Sequence, residues 1–398
     1  MFTTDNRRRI RLAIVSPTPP RPCPVAAHTD ELCRMLPVVA PRIGLTVFAI
    51  DHGDGPPHAA GRAAAGSIAA DDPSAYRRAG QRLRRLGVDV ALLEVGPGSA
   101  GGPRGRYLLG LTDELTRLGV PYLVAPHQVR PFPRPDEANV LSALCRDAAG
   151  VVVSSNCARQ ALAASGIVPP RRVAVVPPGP APDLRVPRPR PAVLARCGAG
   201  PVLTTLGHLS PARGIEVAVA ALPALAAVHP DVRYVVAGRT LAFQAGPGDD
   251  PYRRAVLRAA TALRVAHRLI LLDTDLSITD TAALLHATDV YVAPDLDIGR
   301  TDDRPLADAV TLGLRVVATR TPYAIETMGD RPGAVVPPGN PDALAAAVER
   351  TLAGPTPAGG NHTSVHAAEQ IAGLVALVAS PRSAPRQRAP ATGRRSAA

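Results

Sequence analysis

Two kinds of apolar stretch alternate along the chain. Short, continuously apolar runs rich in Val, Ile and Leu are separated by longer runs in which Ala and Leu recur among Arg and Asp at helical intervals. In the first half the short runs are RLAIVS, LTVFAI, DVALLEV, PYLVAP, AGVVVS and RVAVVP, and each predicts a strand. Between them HTDELCRMLP, SAYRRAGQRLRRLG, RGRYLLGLTDELTRLG and NCARQALAASG predict helices. After residue 200 the pattern starts again with VLTTLG, VRYVVAG, RLILLD, DVYVAP, RVVAT and GAVVP. A strand that is apolar on both faces is buried on both, as in a parallel sheet covered by helices.

Two such sets predict an α/β chain of two doubly wound, Rossmann-like domains facing a central cleft. The length, 398 residues, also favours two cores over one. The boundary is expected where Pro crowds out regular structure, in PPGPAPDLRVPRPRP. The expected division is a first domain over 1–182, a Pro/Arg-rich linker over 183–200 and a second domain over 201–355. A short helical region over 356–380 and a disordered basic tail over 381–398 follow.

Composition changes this picture in three ways. Trp is absent and aromatics make up 3%, so Ala, Val and Leu must build the cores. All 45 cationic side chains are Arg, with no Lys, which excludes a lysine Schiff base and a Walker-type phosphate loop. The net charge of +12 is concentrated in NRRRIR, RVPRPRPAVLAR and PRSAPRQRAPATGRR, without interleaved aromatics for base stacking. Nucleic acid is therefore not an expected partner; the basic termini offer at most weak peripheral contact with an anionic membrane. Five scattered Cys with no CxxC pair fit a reduced, cytoplasmic protein. LAIVSP is too short for a signal sequence, and no run reaches the ~18 apolar residues of a membrane span.

In doubly wound sheets ligands bind beyond the carboxyl ends of the strands. One such end is GHLSPARGIE, from Gly207 to Glu216. Gly207 lets backbone approach a ligand, Ser210 or Pro211 can open the next helix, and Arg213 is placed near that helix's N-terminus. This arrangement suits a diphosphate; equally, it describes an ordinary strand-to-helix turn with a surface Arg. A second end is APDLDIGRTDDRPLADAVTLG, with a helix expected around Pro305 to Leu312 and Asp308 in its first turn. A carboxylate there can accept from sugar hydroxyls or simply complement the helix dipole.

These segments, in order, resemble the family-4 glycosyltransferases of GT-B fold, over residues 11 to about 353. SPTPPRPCPVAAHTDELCRML resembles the opening of a bacterial subgroup of that family. The resemblance implies sugar transfer from a nucleotide-sugar donor with retention, to an acceptor the sequence does not identify, with no cofactor and no metal. It implies that Arg213 and His208 hold the donor phosphates and that Gly207, Asp308 and Glu326 complete the donor face. His127 and Glu94 are the candidates to orient acceptor or sugar. Two departures stand out: the first of the family's paired carboxylates falls on Arg300, and the second is shortened to Asp308. The alternative is a catalytically degenerate GT-B protein that binds a nucleotide or partner as a regulator; a sugar-nucleotide epimerase is a third reading.

Overall fold

The computed structural model describes residues 9–194, 199–240, 250–274, 276–329 and 335–380. The first domain runs β1 (Ile10–Ser16), α1 (Pro24–Val39), β2 (Ile43–Asp51), β3 (His58–Ala59), β4 (Arg62–Ala63), β5 (Gly66–Ala69), α2 (Pro73–Arg85), β6 (Val90–Val95) and α3 (Leu108–Arg117). It continues with β7 (Tyr122–Pro126), α4 (Pro135–Arg146), β8 (Gly150–Val153), α5 (Asn156–Ala164) and β9 (Val173–Val175). Its sheet is parallel, in the order β5-β2-β1-β6-β7-β8-β9, with β3 and β4 forming a separate antiparallel pair. The second domain runs β10 (Val202–Leu206), α6 (Ile215–Val228), β11 (Arg233–Ala237), α7 (Pro251–Ala262), β12 (Leu269–Leu272), α8 (Ile278–His286) and β13 (Val290–Ala293). It continues with α9 (Arg304–Thr311), β14 (Val316–Thr319), α10 (Pro322–Met328), β15 (Val335–Val336) and α11 (Pro341–Ala353). Its sheet is also parallel, in the order β12-β11-β10-β13-β14-β15.

The elements start where the local chemistry says they should. Asp72, Ser155, Asp303, Thr321 and Asn340 each accept a backbone N–H in the first turn of the helix they precede. A Pro opens α2, α9, α10 and α11, where its missing donor goes unnoticed. Each sheet is buried on both faces. Val15, Leu93 and Val124 pack against Tyr76, Leu111 and Leu144 on one side of the first sheet, and Leu12, Ile14 and Leu92 face the other.

That other face is covered partly by the chain's end. Helix α12 (Ser364–Ala379) leaves the second domain and returns to the first, burying Ala367, Ala368, Ile371 and Val375 against Leu12, Ile14, Leu32 and Leu92. Among its described residues, the Pro-rich segment between the sheets carries only single 3₁₀ turns, Pro182–Arg185 and Ala192–Leu194, and Leu184 and Leu194 pack into the second domain. The expected tail over 381–398 and residues 6–8 of the basic N-terminal run lie outside the described residues. Among the described residues no helix is long and apolar enough to cross a membrane, and Cys23, Cys33, Cys145 and Cys157 are free thiols.

Candidate active site

The carboxyl ends of the two sheets face each other, and the cleft is closed by direct bonds. Ser155 Oγ donates to Thr301 O at 2.7 Å, and Thr301 Oγ1 donates to Val129 O at 2.5 Å. The loop after β13 thereby reaches the first domain. Arg304 bridges the same gap, to Glu31 at 2.6 Å and to Gly179 O at 2.9 Å. Between the domains remains a cavity of about 140 Å³, whose walls include His28, Glu94, His127, Asp302, Arg304 and Tyr323.

The turn after β10 differs from the sequence expectation. Pro211–Arg213 form a separate 3₁₀ turn, Gly214 takes a left-handed conformation (φ 61°), and α6 starts only at Ile215. A Cβ on Gly214 would stand 2.3 Å from Pro294 O, so glycine is what lets this turn close on the loop after β13. Leu296 N donates to Ala212 O at 2.8 Å and locks that contact. Arg213 therefore turns inward rather than standing at a helix N-terminus. Its side chain is 4% exposed, and its guanidinium lies beside the bare Cα of Gly207 (φ 115°).

There Arg213 Nη1 donates to Asp303 at 2.7 Å and to Asp295 at 3.1 Å, while Nη2 donates to Leu206 O at 2.5 Å. Arg300 Nη1 donates to the same Asp295 oxygen at 2.8 Å, and its Nε lies 3.6 Å from Asp303. Two guanidiniums thus grip two carboxylates at the adjoining ends of β10 and β13. Burial opposes charge on Arg213, but Asp295 and Asp303 outweigh it and hold the guanidinium protonated. Burial likewise pushes Asp295 up; at Asp303 the two arginines prevail and hold the carboxyl below its usual range. The expected cleft-facing Arg213 is thus, in this conformation, committed to the protein's own acids.

Asp308 is buried and sits a full turn into α9, whose N-cap is Asp303, and not in the first turn as the sequence suggested. The Asp308 carboxylate accepts from Arg304 Nε at 3.1 Å, and burial raises it to about 6. Glu326 is used across the cleft: it accepts from the backbone N–H groups of Asn156 and Cys157, both at 2.7 Å, at the start of α5. In this conformation Glu326, expected on the donor face, serves as an interdomain latch on a helix N-terminus. His208 is half-buried in the turn after β10, outside the cavity walls.

Glu94 and His127 do come together. Neighbouring strands β6 and β7 end side by side, and Glu94 Oε2 meets His127 Nε2 at 2.5 Å. Burial opposes both charges, yet the pair lowers Glu94 and raises His127. Three further cavity residues escaped the sequence reading. His28, from α1, sets its ring edge-on to His127 with centroids 4.8 Å apart, and burial depresses it to about 4. Asp302 is raised to about 6 by burial and by Asp303. Arg304, the third, reaches the cavity from the first turn of α9. Asp295 carried a signal, since it follows a strand end directly, as the turn bearing Arg213 does. His28 carried none, because only packing of α1 over the sheet brings it to the cleft.

Residues 200–354 match the family described as Glycosyl transferases group 1. No curated protein sequence matches the chain. Among solved structures, a glycosyltransferase from Rickettsia africae is 16% identical, with 93% of each chain covered and a TM-score of 0.65. HepE of Anabaena, solved in complex with UDP-glucose, is 16% identical over 93% of this chain and 97% of that one, with a TM-score of 0.65. Sucrose-phosphate synthase from Thermosynechococcus elongatus is 15% identical over 93% and 96%, with a TM-score of 0.64. With its two parallel sheets facing one cleft, the chain has the GT-B fold, and its second domain matches the model of the group 1 glycosyl transferases.

Proposed function

We propose that the chain is a retaining glycosyltransferase that takes a sugar from a nucleotide-sugar donor in the cleft between its domains. The observation that carries this reading is the guanidinium pair at the ends of β10 and β13: Arg213 and Arg300 converge on two carboxylates where an external anion would sit. Charge develops on the leaving diphosphate as the bond to the sugar breaks, and preorganised cations there lower the barrier. On this reading the donor displaces Asp303, Asp295 or both from the arginines, and opening of the cleft accompanies its entry. Asp308 is the candidate for a donor hydroxyl once Arg304 swings away, and the Glu94–His127 pair faces the acceptor. That HepE was solved with UDP-glucose supports a nucleotide sugar as the class of donor.

A second reading is a non-catalytic GT-B protein that binds a nucleotide or a partner and regulates another enzyme. The saturation of Arg213 by Asp295 and Asp303 favours it, because a diphosphate meets a neutralised site. Turnover separates the two readings. The full-length chain is incubated with UDP, GDP, ADP and TDP and their sugar conjugates while melting and sugar release are followed. A ligand at ~100 times its Kd adds about 2.7 kcal/mol to the folded state. A melting shift with slow release of free sugar supports the transferase; a shift with the conjugate left intact supports a nucleotide-binding regulator; neither shift nor release refutes the transferase and leaves a regulator that binds a partner.

A further inference from the structure

We infer that His28, Glu94 and His127 form a binding site for a single first-row divalent cation of the zinc type, on the first-domain wall of the cavity. The inference stands apart from the choice between transferase and regulator, and it departs from the metal-free expectation drawn from the sequence.

Three observations carry it. The first is the donor set. Two imidazoles and one carboxylate are the ligands that borderline divalent metals take when a coordination position is kept open. Here one donor atom from each residue lies within 4.8 Å of the others. The second is geometry. Glu94 lies 2.5 Å from His127 and 4.0 Å from His28. Metal bonds of ~2.0–2.1 Å place tetrahedral ligands about 3.3 Å apart. Side-chain rotations of about 1 Å therefore bring all three onto one centre: the close pair opens and His28 moves in.

The third observation is independent of the spacing. Glu94 is 1% exposed, yet its Oε1 has no hydrogen-bond partner. A buried carboxylate oxygen left without a donor is costly and rare. His28 Nε2 stands 4.0 Å from it, beyond hydrogen-bonding range. A cation between Glu94 and the two rings satisfies that oxygen.

The supports are rigid where a ligand set needs them. Glu94 belongs to β6, and His127 directly follows β7, its backbone N–H donating to Val95 O at 2.7 Å. His28 stands on α1, which is clamped between the sheet and α12. The fourth side faces the cavity, where Asp302, Tyr323 and Ser154 line the remaining space. A hydroxyl or carboxylate of a small substrate is the chemistry that fits an open position there.

The test uses the full-length chain, stripped with a chelator and titrated with Zn²⁺ by calorimetry, with Co²⁺ as an optical probe. The expected result is one equivalent bound, with affinity falling at least 100-fold in Glu94→Gln and in His28→Ala, while His58→Ala binds as wild type. Co²⁺ bound to wild type should show ligand-field bands without a thiolate charge-transfer band. That spectrum needs no variant, so it stands even where a substitution disturbs folding. Absence of stoichiometric binding, unchanged affinity in Glu94→Gln, or a thiolate band pointing to Cys33 would each overturn the inference.

Discussion

Asp303→Asn should weaken the fold and strengthen anion binding at once. In the wild type, Asp303 lies 2.7 Å from Arg213 Nη1, and both side chains are almost fully buried. Taking the charge centres as ~4 Å apart and an effective dielectric of ~20, their attraction is about 4 kcal/mol. An incoming diphosphate must replace that attraction before it gains anything from Arg213. Asn removes the charge and keeps the side-chain oxygen that caps α9 through Leu306 N, so the helix start survives. Arg213 keeps Asp295 at 3.1 Å, and the loss of stability should stay near ~2–3 kcal/mol, below the 3–5 kcal/mol of a fully broken buried pair. If half the released attraction reaches the ligand, affinity for the preferred nucleoside diphosphate rises at least tenfold, since each 1.4 kcal/mol is about tenfold. Urea denaturation measures the first quantity and calorimetric titration with nucleoside diphosphates the second. Unchanged or weaker diphosphate binding in Asp303→Asn would refute the idea that these arginines are an anion site held by the protein's own acids.

Three further outcomes are expected. Asp302→Asn should stabilise the protein at pH 7.5 by up to about 3 kcal/mol and have little effect near pH 4, as read from urea midpoints. The sign follows from burial: the folded carboxyl at about 6 lies above its unfolded value, so its charge destabilises the fold at high pH and the penalty fades as pH falls through 6. His28 acts oppositely, being depressed to about 4, so it withdraws stability as pH falls from about 6.5 toward 4, and His28→Gln should flatten acid unfolding across that window. Glu326→Gln should cost about 1 kcal/mol and speed amide exchange at Asn156 and Cys157, whose N–H groups it now holds; unchanged exchange there would show that the latch does not restrain the domains.

Much of this molecule was legible in one dimension. Continuous apolar runs such as VLTTL and VALLEV can be satisfied only by strands buried on both faces, and the helical runs between them require parallel crossovers. The doubled pattern and the Pro-rich break therefore determined two facing α/β domains. The short strands β3, β4 and β5 went unread, since two to four residues carry too little periodicity to stand out. The strand-end rule singled out Glu94 and His127, and they meet because parallel strands place their ends side by side.

The tertiary structure alone decided how charges were paired. Whether Arg213 faces solvent or an acid depends on Gly214 turning the loop against Pro294, and on where Asp295 and Asp303 then fall, more than eighty residues away. Glu326 meets the start of α5 only across the cleft, at a sequence distance of about 170 residues. The return of α12 to the first domain, and the placing of His28 beside Glu94, follow from which apolar face lies uncovered once the sheets have formed. Secondary structure is written in local periodicity, which a sequence displays; ion pairing is set by long-range proximity, which only the folded chain creates.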